Sequence, residues 1–347
     1  MNKTKAVFIF SFVVIVAFIL ILSIYLTKAK NQKLTYLYGL GEKVSRSANE
    51  EPPTAAIEIE FNKDDSKIIT LLNNGDVEQW DLTKKTKESV AKTNRVFSYC
   101  ADKDMLVTSE NDTIYLTDIV SRNKRSLTRG KYQLASVDKK CEYLALIGDG
   151  SEEVYVWNLK SNSLKAKYRT KLPARNGLAL SPDGSKVAVA EGVYHEDKRM
   201  HETLIEVWDI SSGNKEPILK YDKRESGLIV GVWNIFFSSD SNKIVFDTQH
   251  QAESGIRLID LQGNTIFEES GFKSYWMRAS AFNSDKGHLA TGDEERNVAI
   301  WNISSKAIGF YNKMPDVVES VSFSHNGSLI AAGIADSTIQ VFSTEKQ

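Results

Sequence analysis

Three of the five histidines, His195, His201 and His250, fall in two polar stretches, 191–202 and 247–253, together with Asp247 and Glu253. Imidazole and carboxylate are the donor types that bind zinc and related metals, so metal chemistry is the first possibility these stretches raise. Their spacing matches no ligand motif, and polar loops do not hold four ligands in fixed geometry. The expectation is therefore no metal, with His195, His201, His250 and Asp247 as the weak candidates. For catalysis the chain offers less still. It has no Gly-x-Ser-x-Gly elbow, no His-Glu-x-x-His, no phosphate-binding Gly-Lys-Ser/Thr loop and no Cys-x-x-Cys pair. A site assembled from scattered residues leaves no short motif. The expectation is a non-enzyme without a cofactor.

A second cluster is electrostatic. Between 122 and 175 stand 13 Lys+Arg and 5 Asp+Glu, a net of +8 in a chain of net −1. Arg122, Lys124 and Arg125 form one basic group, and Lys165, Lys167 and Arg169 form another. Such a flank could lie against anionic lipid headgroups, each residue contributing up to about 1 kcal/mol. The plainer reading is that lysines protect exposed strand edges from mispairing. Nucleic acid is not expected, because the sector lacks the aromatic interleaving that stacks bases.

These groups must be positioned by a folded chain of 347 residues, 41% hydrophobic and 26% charged. That composition excludes a disordered or collagen-like polymer, and the balanced charge excludes a wholesale polyanion binder. Two cysteines supply neither a disulfide framework nor a multi-Cys zinc site. Residues 6–26 carry no charge and, as a helix, span about 30 Å, the thickness of a bilayer core. No small-x-small cleavage site follows, so an uncleaved anchor is expected rather than a signal peptide. Lys3 and Lys5 before it nearly balance Lys28, Lys30 and Lys33 after it. A short tail before an anchor leaves the N-terminus in the cytoplasm and sends the bulk outward. A single-pass protein with an extracytoplasmic bulk is the expected arrangement.

Beyond a polar spacer, one pattern recurs seven times: two short apolar runs around a polar turn, a tight turn, and a third run ending in Trp-Asp or a relative. Trp80-Asp81, Trp157-Asn158, Trp208-Asp209 and Trp301-Asn302 are the clearest endings, with Thr117-Asp118, Ile259-Asp260 and Phe342 in the weaker copies. The apolar residue closing the first run falls at Phe61, Cys100, Val137, Leu180, Phe237, Phe282 and Phe323. Five of those six intervals lie near the ~40–45 residues of a four-stranded propeller blade.

These residues resemble the WD-repeat family over about residues 44–347. The resemblance implies an all-β, seven-bladed β-propeller of four-stranded antiparallel blades, preceded here by one transmembrane helix. The expected organisation is a tail at 1–5, the anchor at 6–26, a tether at 27–43 and the propeller at 44–347. The seventh copy lacks an outermost strand, which must come from about 34–49, either 36–40 or 44–48, to avoid an open ring. The Gly-His pair that the family places before each innermost strand is absent, which implies an incomplete polar network around the tryptophans. Trp80, Asp81, Trp157, Trp208, Asp209 and Trp301 are then structural. Cys100 falls on the innermost strand of blade 2 and Cys141 in the first turn of blade 3. Spacing does not fix whether they pair, and two buried free thiols are expected.

The same topology gathers the loops between second and third strands, and the links between blades, on one face. That face is the family's usual partner-binding face. Enlarged loops in blades 4 and 5 bring Tyr194, His195, Arg199, His201 and His250 to it, with Trp233 and Trp276 at the starts of innermost strands. The expected function is a membrane-anchored interaction platform for a protein partner. The alternative is a channel-mouth binder of a small molecule or metal, which could be an enzyme.

Overall fold

In a computed structural model the described residues are 33–44, 54–148, 150–195, 200–222, 231–249, 254–272 and 277–345. They form seven antiparallel sheets of four strands each. In six of them the strands follow one another in order from the innermost outward, as in blade 1 with Ala56–Phe61, Lys67–Leu72, Asp76–Asp81 and Thr86–Lys92. Blade 7 takes Val318–Phe323, Leu329–Ile334 and Ile339–Ser343 from the end of the chain and Thr35–Leu40 from near its start. Tyr36 lies opposite Phe342 and Leu40 opposite Ile339. Of the two candidate closing segments, 36–40 is the one inside this strand. The propeller thus begins at Thr35, within residues assigned above to the tether. The 6–26 segment lies outside the described residues. Among the described residues no helix is long and apolar enough to cross a membrane.

The core is distributed. Seven apolar clusters fill the seven gaps between blades, one per gap, including the gap between blades 7 and 1 where Leu40, Val341, Phe61 and Trp80 meet. Alternation along each strand sends successive side chains to the two neighbouring gaps. In blade 4, Val187 and Val189 face blade 3 while Ala188 and Ala190 face blade 5. Trp80, Trp157, Trp208 and Trp301 each pack against the preceding blade, and Trp208 stacks on Tyr168 of blade 3 with ring centroids 5.5 Å apart. Among the described residues the indole N–H groups of Trp80, Trp157 and Trp208 have no hydrogen-bond partner.

Polar residues in the repeat build turns. At the first turn a side-chain oxygen accepts the backbone N–H five residues later: Asn62 from Lys67, Asp138 from Tyr143, Ser181 from Lys186, Ser238 from Lys243 and Ser324 from Leu329. At the end of the third strand Asp81 accepts from Thr83 and Lys84, and Asp209 from Ser211 and Ser212. This is the Asx-turn chemistry that favours Asp and Asn there.

Two expectations are corrected. Cys100 and Cys141 are not free thiols; they form a disulfide between blades 2 and 3, with Cα atoms 5.9 Å apart. The last residue of an innermost strand and the first turn of the next blade lie at the same end of the ring, so the topology itself brings them together. The enlarged stretch of blade 4 is not a loop but an extended hairpin. Its strands, Lys186–His195 and Met200–Asp209, pair without interruption from Lys186–Asp209 to His195–Met200.

Candidate partner-binding face

Turns between second and third strands and links between blades share one end of the ring; the disulfide lies at the other. At the first end, the blade 4 hairpin runs on past its neighbours. The innermost strand pairs with it only up to Glu191 and the outermost only between Ile205 and Val207. Residues 192–195 and 200–203 therefore stand beyond the four-stranded part of the blade. Across this extension His195 Nε2 and Glu202 Oε2 are 3.1 Å apart, so this histidine has a carboxylate partner on its own hairpin. Tyr194 and His201 lie opposite each other in register. Arg199, His250 and Trp276 lie outside the described residues.

On the same face the link into blade 5 carries Trp233, 48% exposed. Its backbone N–H donates to Asp247 Oδ1 at 2.7 Å, while Asn234 donates from its backbone at 3.0 Å and from Nδ2 at 2.7 Å. Asp247 is fully buried on the second strand of blade 5. It is therefore a clamp for this link and not a loop ligand, which corrects its place among the metal candidates. Burial pushes its carboxyl up to about 6 against these three donors. Among the described residues no three His, Cys, Asp or Glu converge to hold a metal.

The channel offers different chemistry. A cavity of about 270 Å³ is lined by the innermost strands of blades 1, 6 and 7 and by Asn234 and Phe236 of blade 5, and includes Glu58, Glu60, Arg278 and Glu319. Arg278 bridges Glu294 and Glu319. Glu58 and Glu60 are open to lumen water yet ringed by protein. That crowding pushes Glu58 up to about 7, and crowding plus the charge of Glu58 pushes Glu60 up to about 8. Strand alternation alone does not tell a lumen position from an exposed one, so this pair was not legible in the sequence.

Of the basic flank, Lys124, Arg125, Lys165, Lys167 and Arg169 lie on the outermost strands of blades 2 and 3, Lys124–Arg129 and Ser163–Arg169, while Arg122 lies in the turn before the first of them. Much of its charge is answered locally. Arg122 pairs with Glu88, Lys124 with Glu110, Lys167 with Glu153 and Arg169 with Glu152. Arg125 donates to Asn162 and to the Leu159 carbonyl. Lys124 and Lys167 also lie over the rings of Tyr115 and Tyr155 on the adjacent strand. Lys165 is exposed on the same strand.

Residues 311–343, which end in blade 7, match the family described as WD domain, G-beta repeat. Over 332 residues the chain is 20% identical to apoptotic protease-activating factor 1 of Rattus norvegicus, covering 81% of this chain and 26% of that protein. The Mus musculus protein of that name is matched to the same extent. WD repeat-containing protein SL1-17 of Schistosoma mansoni is 27% identical over 141 residues, which is 41% of this chain and 44% of that protein. The chain thus spans about a quarter of the length of the first relative and less than half of the last. The fold and this match together make it a seven-bladed propeller carrying a WD repeat.

Proposed function

We propose that this protein is a non-enzymatic interaction platform, held at a membrane by residues 6–26, that docks a protein partner on the face bearing the blade 4 hairpin. The observation that carries the reading is a rigid ring that presents, on one face, a hairpin extending past its blade and a tryptophan, Trp233, about half exposed. Exposed aromatics on a firm frame are the usual anchors of protein interfaces. Its WD repeat points the same way by analogy of fold, which alone fixes no function.

An extracytoplasmic position for the propeller is part of the proposal. The Cys100–Cys141 disulfide supports it, since such bonds persist in oxidising compartments and are rare in the cytosol. Contact of the basic flank with anionic headgroups belongs to it in reduced form, carried mainly by Lys165. A second reading, a channel ligand, is favoured by one observation: Glu58 and Glu60 line a lumen with room for a small cation.

The test is photo-crosslinking in intact cells. A crosslinking residue replaces Trp233 or His195, with Lys165 on the outer rim as control. Protease is then added outside before lysis. The proposal expects one partner band from the face positions only, and digestion without lysis. Equal bands from the rim, or none from the face, would remove the platform; protection until lysis would place the propeller inside.

A further inference from the structure

Glu191 and Glu206 sit where the blade 4 hairpin leaves the sheet. Glu191 is opposite Leu204 and Glu206 opposite Val189, so both carboxyls project from the face turned toward blade 3. They are 1% and 2% exposed. Across them runs the strap from blade 3 to blade 4. Leu172 N–H donates to Glu191 Oε2 at 2.7 Å, and Lys171 N–H to Glu206 Oε2 at 3.4 Å. The strap is tied further by Gly192 N–H to the Pro173 carbonyl at 3.0 Å and by Thr170 Oγ1 to the Leu172 carbonyl at 2.6 Å.

The other oxygen of Glu191, Oε1, is buried and meets no donor among the described residues. Two adjacent carboxylates removed from water do not both stay ionised, and a proton shared between them resolves both facts. Among the described residues the charged groups around the pair are few. Lys220 Nζ is 3.6 Å from Glu206 Oε1 and 3.8 Å from Glu216. Lys171 meets Glu206 through its backbone, and on the same face of the hairpin His195 and Glu202 answer each other. Arg175, on the innermost strand, has its side chain outside the described ones.

We propose that the Glu191–Glu206 pair is a proton-operated latch at the root of the partner-binding hairpin: with its shared proton it clasps the strap to the hairpin, and without it the two part. Its value as regulation rests on the platform reading above; its operation does not. Burial first, then the contact with Glu206, pushes Glu191 up to about 9 from its ordinary 4.5. An opened latch puts the carboxyls in water, where Glu191 returns to that ordinary value. Opening therefore releases a proton at any pH between those two values, and rising pH favours it. The clasp is firm in acid, weakens by up to about tenfold per pH unit, and levels off above about 9.

Hydrogen–deuterium exchange of the full chain from pH 5 to 10, corrected for intrinsic exchange, reads this without any partner. The Lys171 and Leu172 amides should lose protection by up to about tenfold per pH unit up to pH 9, while amides of blade 1 stay level. Glu191→Gln, whose amide supplies the bridging hydrogen permanently, should abolish the slope. Glu206→Gln, used if the first variant does not fold, leaves Glu191 buried but removes the neighbouring carboxylate, so it should move the levelling-off to lower pH and not abolish the slope. Strap protection that is level in the wild type, a slope that survives in Glu191→Gln, or a levelling-off unmoved in Glu206→Gln overturns the latch. A slope with no partner captured at Trp233 or His195 leaves the latch and removes the platform; a captured partner with level exchange does the reverse.

Discussion

An aspartate or asparagine closes the third strand in six blades, at Asp81, Asp118, Asn158, Asp209, Asp260 and Asn302, because a short side chain there can accept the amides of the turn that follows. The first turns use acids in the same way. Lys243 and then Ser238 hold Asp240 down to about 2. At Asp183 burial opposes ionisation, but donors from Ser181 and Ser185 outweigh it and hold the carboxyl down to about 2. Such depressed groups stabilise the fold above their ordinary value of 3.8, and that stability is lost as pH falls toward 2. Replacing both with Asn should narrow the difference between denaturation midpoints at pH 6 and pH 3, and an unchanged difference would refute these roles. The turn residues and the tryptophans were legible in the sequence because they recur at blade spacing, the turn Asp or Asn in six blades and the Trp in four. Glu191 and Glu206 were not, since nothing in their neighbourhood distinguishes a buried carboxyl pair from two solvated ones. Arg257 was equally silent: it is buried between blades, bonded to the Tyr221 hydroxyl at 2.9 Å and paired with Glu268.

At the scale of elements, strand count, blade order and closure followed from spacing, but the form of the blade 4 insertion did not. Its tip, His-Glu-Asp-Lys-Arg, reads as a polar loop. A hairpin leaving its sheet needs backbone pairing and not apolar alternation, so its side chains carry little strand signal. Because the innermost strand pairs with this hairpin only up to Glu191, replacing 193–202 with Asn-Gly, a two-residue hairpin turn, should leave the fold intact. We expect a shift in unfolding free energy below about 1 kcal/mol, as for surface changes, together with loss of the crosslink at Trp233. A large loss of stability would mean that the extension is part of the core. The link into blade 5 is a contrasting case: Asp247 holds three donors in a buried position, and the exposed Trp233 is displayed by that clamp.

The whole molecule is a ring of nearest-neighbour contacts, fastened by one covalent tie and one exchanged strand. The Cys100–Cys141 bond closes a separation of 41 residues, for which chain entropy gives at most about 4 kcal/mol. Reduction, or the Cys100→Ala/Cys141→Ala pair, should lower unfolding free energy by an amount in that range. The native protein should also take up no maleimide until reductant is added. Ready labelling without reductant would contradict the bond. Neither cysteine announced its partner in the sequence, because their proximity arises only once blades 2 and 3 stand side by side.

The exchanged strand has a consequence for synthesis. Thr35–Leu40 is the first of the described strands to be made and is completed only by Ile339–Ser343, the last of them. Until the ribosome reaches that point the chain is an open arc, with the inner face of blade 1 uncovered. A product that stops before Ile339 leaves its first described strand unmatched and its arc exposed to proteases. The seam thus makes closure of the ring wait on the last described strand.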